Sequence, residues 1–294
     1  MTPSPDAALR SALTGVRGLL LDMDGVFVLK GALIPGAGEA IVELERRGIP
    51  YRIVTNSSIV SRARLARWSA KVGVPIPAER YQSALSVSAA YTAAHYPGQP
   101  LFVMASDDAK GEFAGQRLLT TEEAGAPDAR AAAVVIGDSP EEVTYDNLNH
   151  AFRLIHAGAE LIGMHRNRWW LTAGGPTIDS GAIVTGLEYS AGVRARILGK
   201  PAPEFFRIAA AEVATPAAER DGRRRATRRE LAMVGDDLWT DVFGSQRVGL
   251  RGIFVLSGKH GRPELERGAA QRRGGGRPDG VAASLSDVVA ALDP

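Results

Sequence analysis

The chain has 294 residues, 45% hydrophobic and 23% charged, and its 35 Lys and Arg against 33 Asp and Glu leave a net charge of +2. This mix describes a soluble globular protein of one large or two smaller domains, able to bury a core without metal or disulfide staples, and excludes a mainly disordered chain. The absence of cysteine excludes disulfides, thiol nucleophiles and Cys-ligated zinc.

No apolar run reaches the ~18 residues of a membrane span. The N-terminal MTPSPDAALRSALTGVRG lacks the basic start and continuous apolar run of a signal peptide. A cytoplasmic location with no membrane partner is the expectation. The basic clusters, Arg223-Arg224-Arg225 with Arg228-Arg229 and Arg272-Arg273 with Arg277, contain no interleaved aromatics. They read as solvated loops, and no nucleic-acid partner is expected.

In chain order, Val16–Leu21 is a short apolar run ending at Asp22, which reads as a buried strand. Pro35 opens a helical pattern with Ala40, Ile41 and Leu44 on one face, closed by Gly48. Tyr51–Val54 is a second strand, followed by Thr55-Asn56-Ser57-Ser58 and a helix over about 61–71. Alternating strands and helices predict a parallel sheet with helices on its faces. The middle stretch, 83–190, carries its own strands (Leu101–Met104, Ala132–Ile136, Glu160–Met164) and a helix over about 141–157. It reads as an inserted α/β domain, with 1–82 and 191–294 forming the outer domain. In the outer domain the grammar returns with strands at Ala195–Leu198, Leu231–Val234 and Gly252–Leu256 and a helix after Pro203.

Four polar groups follow strands: Asp22, Thr55, Lys200 and Asp236. In parallel sheets functional groups collect at the carboxyl ends of strands. Asp22-Met23-Asp24-Gly25 sets two carboxylates two residues apart, where Gly25 allows a sharp turn. One carboxylate can attack while the other trades a proton. Asp236, Asp237 and Asp241 form a second acidic group that calls for a cation, and oxygen-only ligands suit Mg2+. Asp237 or Asp241 can equally cap the next helix. Thr55-Asn56-Ser57 offers a hydroxyl and main-chain N–H groups to an anion, against the alternative of a helix N-cap box, and Lys200 offers a positive charge, against the alternative of a surface lysine. His165-Arg166-Asn167-Arg168-Trp169-Trp170 follows a strand of the inserted domain. Arg166, Arg168 and Trp169 are candidate substrate contacts there, against the alternative of a surface loop with its tryptophans tucked into a core.

Together and in order, LLLDMDGV, VTNSS, GKPAPEFF and MVGDDLWTD resemble the motifs of the haloacid dehalogenase superfamily. The insertion resembles the larger α/β (type C2) cap of its NagD-like, type IIA branch. Further stretches (IPGAGEAIVELERRG, LNHAFRLIHAGAELIGMHRNRWW and GLEYSAGVRARILGKP) resemble the group containing phospholysine phosphohistidine inorganic pyrophosphate phosphatase and haloacid dehalogenase-like hydrolase domain-containing protein 2. The likeness spans about 18–258. It implies a doubly wound α/β core and a Mg2+-dependent phosphatase of small phosphorylated metabolites that works through an aspartyl-phosphate. It further implies that Asp22 attacks phosphorus and Asp24 serves as acid and base. Asp22, the Asp24 carbonyl and Asp236 hold the metal, Asp237 and Asp241 support waters or Lys200, and Thr55, Asn56 and Lys200 hold the phosphoryl oxygens. The alternatives are a phosphotransferase or inorganic pyrophosphatase on the same site, or a non-catalytic phosphate-binding protein. The partner expected is a small phosphate substrate, with a homo-oligomer left open.

Overall fold

A computed structural model describes residues 7–172, 174–271 and 276–293. By its internal contacts the chain divides into two compact units, one holding the chain up to Thr55, Ala66–Gln82 and everything from Lys200 onward, the other Asn56–Leu65 and Ser83–Gly199.

The first unit is built on a six-stranded sheet in the order Gly280–Ala282, Arg251–Val255, Leu231–Gly235, Gly18–Asp22, Tyr51–Thr55, Tyr81–Ser83. The pairings among the first five are all parallel. Every residue of Gly18–Asp22 and of Leu231–Gly235 is buried, which is why these strands read as unbroken apolar runs rather than alternating ones. Helix Pro203–Asp221 packs on the middle strands, with proline in its first turn and Gly222 (φ 64°) ending it. Because neighbouring strands are parallel, Asp22, Thr55 and Gly235 finish at one edge of the sheet.

The second unit carries a five-stranded parallel sheet in the order Arg196–Ile197, Glu160–Gly163, Ala133–Ile136, Pro100–Met104, Arg117–Leu118. Helices Tyr145–His156 and Gly181–Ala191 cover it, and Phe102, Val134, Leu154, Leu161 and Val184 form its core. Thr144 starts the first of these helices by accepting from Asn147 N–H. Trp169–Thr172 and Gly175–Ile178 make an antiparallel hairpin.

The fold is the expected α/β class with parallel sheets and flanking helices. Two segments differ from expectation. Arg196–Ile197, expected in the outer sheet, pairs with Ile162 and Gly163 in the second unit. Leu198 N–H and Gly199 N–H extend that ladder to Gly163 and Met164 carbonyls. A Cβ at residue 199 would lie 2.6 Å from Met164 O, so the close approach needs glycine. Asn56–Leu65, expected with 1–82, also belongs to the second unit, where Asp108 accepts from Ser61 N–H and Glu112 from Arg62 N–H. A short apolar run carries no local information about which sheet it will join.

Arg223, Arg224, Arg225, Arg228 and Arg229 are exposed, and Arg224 pairs with Glu230 at 2.9 Å. Arg272 and Arg273 lie outside the described residues. No helix among the described residues is long and apolar enough to cross a membrane.

Gly18 runs directly beneath helix Pro203–Asp221, and a Cβ there would sit 2.4 Å from Val213 Cγ1 and 3.1 Å from Pro50 O. Gly18→Ala should therefore destabilise by about 1–3 kcal/mol through overpacking. A lowered urea midpoint at unchanged slope is the expected reading.

Candidate active site

Asp22 ends the strand lying between Leu231–Gly235 and Tyr51–Thr55. It is buried, and its Oδ1 accepts from Met23 N–H at 2.7 Å and from Lys200 Nζ at 2.6 Å. Lys200, 3% exposed, also lies 2.8 Å from Asp241 Oδ1 and donates to Val54 O at 3.3 Å. Val54 is the register partner of Asp22, so one ammonium joins two adjacent strand ends to the acidic turn beyond a third.

Asp236 follows strand Leu231–Gly235. Its Oδ2 accepts from the main-chain N–H of Lys259. A Cβ on Gly25 would meet this oxygen at 2.1 Å and one on Gly258 at 2.0 Å. Gly25 also holds φ 81°, so it is fixed twice over. Ser257 Oγ donates to Gly25 O at 2.6 Å and ties the two glycine turns together.

Asp22, Asp236 and Asp241 each offer a carboxylate oxygen, all within 4.8 Å of one another. Burial pushes Asp22 up to about 7, against the pull of Lys200 and with the push of Asp236 and Asp24. Asp236 is likewise raised to about 7, by burial and then by Asp241. Asp241 is raised well above the carboxylate range by burial and by Asp22, with Lys200 opposing. Burial disfavours the charge on Lys200, but Asp22 and Asp241 more than reverse this and keep it protonated. Three carboxylates against one ammonium leave a buried excess of negative charge, and oxygen donors in this setting suit a hard divalent cation.

Asp24 differs. Its side chain is exposed at the turn after Asp22, while the protein mass around it still raises its carboxyl pKa. Asp237 is the N-cap of the π-helical turn Leu238–Val242, accepting from Trp239 N–H at 2.9 Å and Thr240 N–H at 3.0 Å. Of the two acids expected near Lys200, Asp241 is there. Asp237 instead faces Lys259 Nζ at 3.5 Å and His260 Nδ1 at 3.9 Å. Thr55 is buried at the end of its strand in the same unit.

The second unit holds Asn56, Arg166, Arg168 and Trp169. Asn56 Nδ2 donates to Asn167 Oδ1 at 3.2 Å. Arg166 is committed to the buried carboxylate of Glu188, which also accepts from Ala195 N–H at 2.8 Å. Arg168 is exposed. Trp169 and Trp170 are 41% and 39% exposed on the hairpin rather than tucked into a core. Sequence reasoning missed the clamp on Asp236 from Ser257, Gly258 and Lys259. Its signal was present: SGKH follows the strand Arg251–Val255 at the same edge of the sheet.

Residues 19–118 match the family of haloacid dehalogenase-like hydrolases, and residues 197–288 match a second family described as HAD-hydrolase-like. The chain is 32% identical to human (Homo sapiens) phospholysine phosphohistidine inorganic pyrophosphate phosphatase over 260 residues, covering 86% of this chain and 87% of that protein. It is 32% identical to haloacid dehalogenase-like hydrolase domain-containing protein 2 of Mus musculus over 257 residues, 87% of this chain and 90% of that one. Among solved structures it resembles the 4-nitrophenylphosphatase of Thermotoga maritima, with a TM-score of 0.80 at 26% identity, covering 96% of this chain and 99% of that one.

The raised carboxyls have a consequence for stability. Groups held near 7 when folded stabilise the cation-free protein fully below the ordinary carboxylate pKa, and that contribution is lost as pH rises through about 7. A divalent cation favours the ionised carboxylates and offsets the loss. A divalent cation at a hundredfold excess over its dissociation constant should stabilise by about 2.7 kcal/mol. That dissociation constant should be tighter at pH 8 than at pH 5, so a fixed cation concentration raises the unfolding temperature more at pH 8. Equal shifts at the two pH values would contradict the three-acid site.

Proposed function

The chain belongs to the haloacid dehalogenase-like hydrolases, and from this premise we propose that it is a Mg2+-dependent phosphatase of small phosphorylated metabolites working through an aspartyl-phosphate. The observation that carries the reading is the buried Asp22 carboxylate, tied through one oxygen to Lys200 beside Asp236 and Asp241.

Met23 N–H and Lys200 engage Oδ1 of Asp22 and orient the group, so we assign the attack on phosphorus to Oδ2. As the Asp22–phosphorus bond forms, the bond from phosphorus to the leaving oxygen breaks. The carboxylic acid of Asp24 gives that oxygen its proton, a role its raised pKa supports. Asp24, now a carboxylate, takes a proton from water. The hydroxide attacks phosphorus, the bond to Asp22 breaks, and inorganic phosphate leaves. Thr55, Asn56 and Lys200 hold the phosphoryl oxygens throughout, since positioning and charge neutralisation are most of what phosphoryl transfer requires.

The donor set fits Mg2+: Asp22, Asp236 and the Asp24 main-chain carbonyl would hold it, within a cluster whose carboxyls are forced up without a cation. When bound, the ion neutralises charge developing on the phosphoryl oxygens. Asp241 serves Lys200, and Asp237 serves the helical turn that carries Asp241. For the leaving group we assign Arg168 and Trp169, while Arg166 holds helix Gly181–Ala191 through Glu188.

Asp22→Asn should cut turnover of p-nitrophenyl phosphate on the order of ten-thousandfold or more while the protein stays folded. Residual activity near wild type, with deamidation excluded, contradicts the covalent mechanism. A general acid contributes about 100- to 10,000-fold, and less when the leaving group is good. Asp24→Asn should therefore harm an alkyl phosphate more than p-nitrophenyl phosphate, and equal losses would remove Asp24 from the acid role. Chelation should abolish turnover and Mg2+ restore it, with Ca2+ a poor substitute because it prefers more ligands and looser geometry. Full activity in excess chelator is the contrary result.

A further inference from the structure

The imidazole of His165 takes no part in the chemistry above, yet it is 2% exposed and surrounded by polar groups. Its Nε2 lies 3.1 Å from Ser58 Oγ, 3.4 Å from Ser180 Oγ and 3.6 Å from Asp179 Oδ1. Its Nδ1 accepts from Asn167 N–H at 3.3 Å. Ser58, Asp179 and Ser180 are buried as well. Ser58 Oγ accepts from Asp138 N–H at 2.9 Å, and Asn167 Oδ1 accepts from Asn56 Nδ2 at 3.2 Å. The path Asn56, Asn167, His165, Ser58 therefore closes on itself through the peptide units between Ser58 and Asn56. All four residues lie in the second unit.

The tautomer follows from the donors. A nitrogen that accepts from a main-chain N–H carries no proton, so Nε2 bears the hydrogen and gives it to Ser58 Oγ. Burial lowers the pKa to about 4, with Asp138 opposing, which keeps the ring neutral. A charged imidazole would set Nδ1–H against Asn167 N–H.

We propose that His165 is a positioning residue for Asn56. It pins Asn167 at one ring nitrogen and Ser58 at the other, and so fixes both ends of the segment that carries Asn56. The proposal rests on Asn56 holding the phosphoryl group. A main-chain segment held in place at Asn56 before substrate arrives spares the ordering cost that a loose one would add to binding.

Inorganic phosphate, as a competitive inhibitor of p-nitrophenyl phosphate hydrolysis, probes that grip without a leaving group. His165→Leu should raise the phosphate Ki and the substrate KM together, roughly tenfold. His165→Asn keeps an acceptor near Asn167 N–H and should recover part of the phosphate affinity. Asn167→Ala should weaken phosphate without touching the core, and the double variant with His165→Leu should lose no more than the worse single one. A merely structural histidine would lower the unfolding temperature of His165→Leu and leave the Ki at wild type, which overturns the proposal. If His165→Leu fails to fold, Asn167→Ala decides, and an unchanged Ki there overturns it. A wild type without phosphatase activity, or an active Asp22→Asn, would overturn the proposed function and this inference together. Failure of this inference alone leaves the wild type active and Asp22→Asn dead.

Discussion

The structure of the site depends on one buried ammonium. Lys200 is shared between Asp22 and Asp241 at 2.6 and 2.8 Å, with a main-chain carbonyl as a further acceptor. Taking such charges out of water costs several kcal/mol per ion, recovered only when geometry and additional hydrogen bonds are good. Even with Lys200 in place, Asp22, Asp236 and Asp241 leave the pocket short of positive charge. The glycines make this tolerable in steric terms. Gly25 and Gly258 let two turns close on the Asp236 carboxylate, and Gly235 would place a Cβ 2.4 Å from Asp241 Cβ. Backbone at these glycines crowds Asp236 and Asp241, and a proton or a cation would relieve the repulsion among the acids.

The chain passes between its two units four times, and two of the crossings fall at candidate site residues. Thr55 is the last residue of its strand in the first unit, and Asn56 opens the second. Gly199 closes the second unit's strand ladder, and Lys200 reopens the first. All three groups assigned to the phosphoryl oxygens, Thr55, Asn56 and Lys200, therefore stand at crossings. Their neighbours on one side are held by one core, and on the other side by the second core. Asn56 is fixed through Asn167, and Lys200 through Asp22 and Asp241.

The sequence located the strand-end groups of the candidate site better than the fold's partition. Asp22, Thr55 and Asp236 were legible as candidates because an apolar run followed by turn chemistry locates a strand end, and parallel strands collect their ends at one edge, whereas Lys200 was picked out after a strand that belongs to the other sheet. Arg196–Ile197 was misplaced because two residues of strand carry no signal of their partner, which only the ladder to Ile162 and Gly163 decides. Asn56–Leu65 was misplaced for a similar reason, since the acceptors Asp108 and Glu112 lie far along the chain. Arg166 looked free as a letter, but its guanidinium is taken by Glu188, 22 residues on. The tryptophans of HRNRWW are on a hairpin, and the paired strand Gly175–Ile178 was concealed behind its glycine and proline.

Asp22 and Asp24 carry the same side chain two residues apart in unlike surroundings, and this difference supports the separate roles proposed for them. Pairs of titratable groups in unlike environments are how one site runs both nucleophilic and acid chemistry. Asp22 is buried and touches Lys200, so its charged form is favoured once a cation joins the cluster. Asp24 has no such contact with a cationic side chain. Its pKa is raised by the protein around it, and Lys200 acts on it only through the field. The turn at Gly25 follows at once on the strand, which ends at Asp22, so Asp24 lies beyond the sheet edge with its side chain exposed.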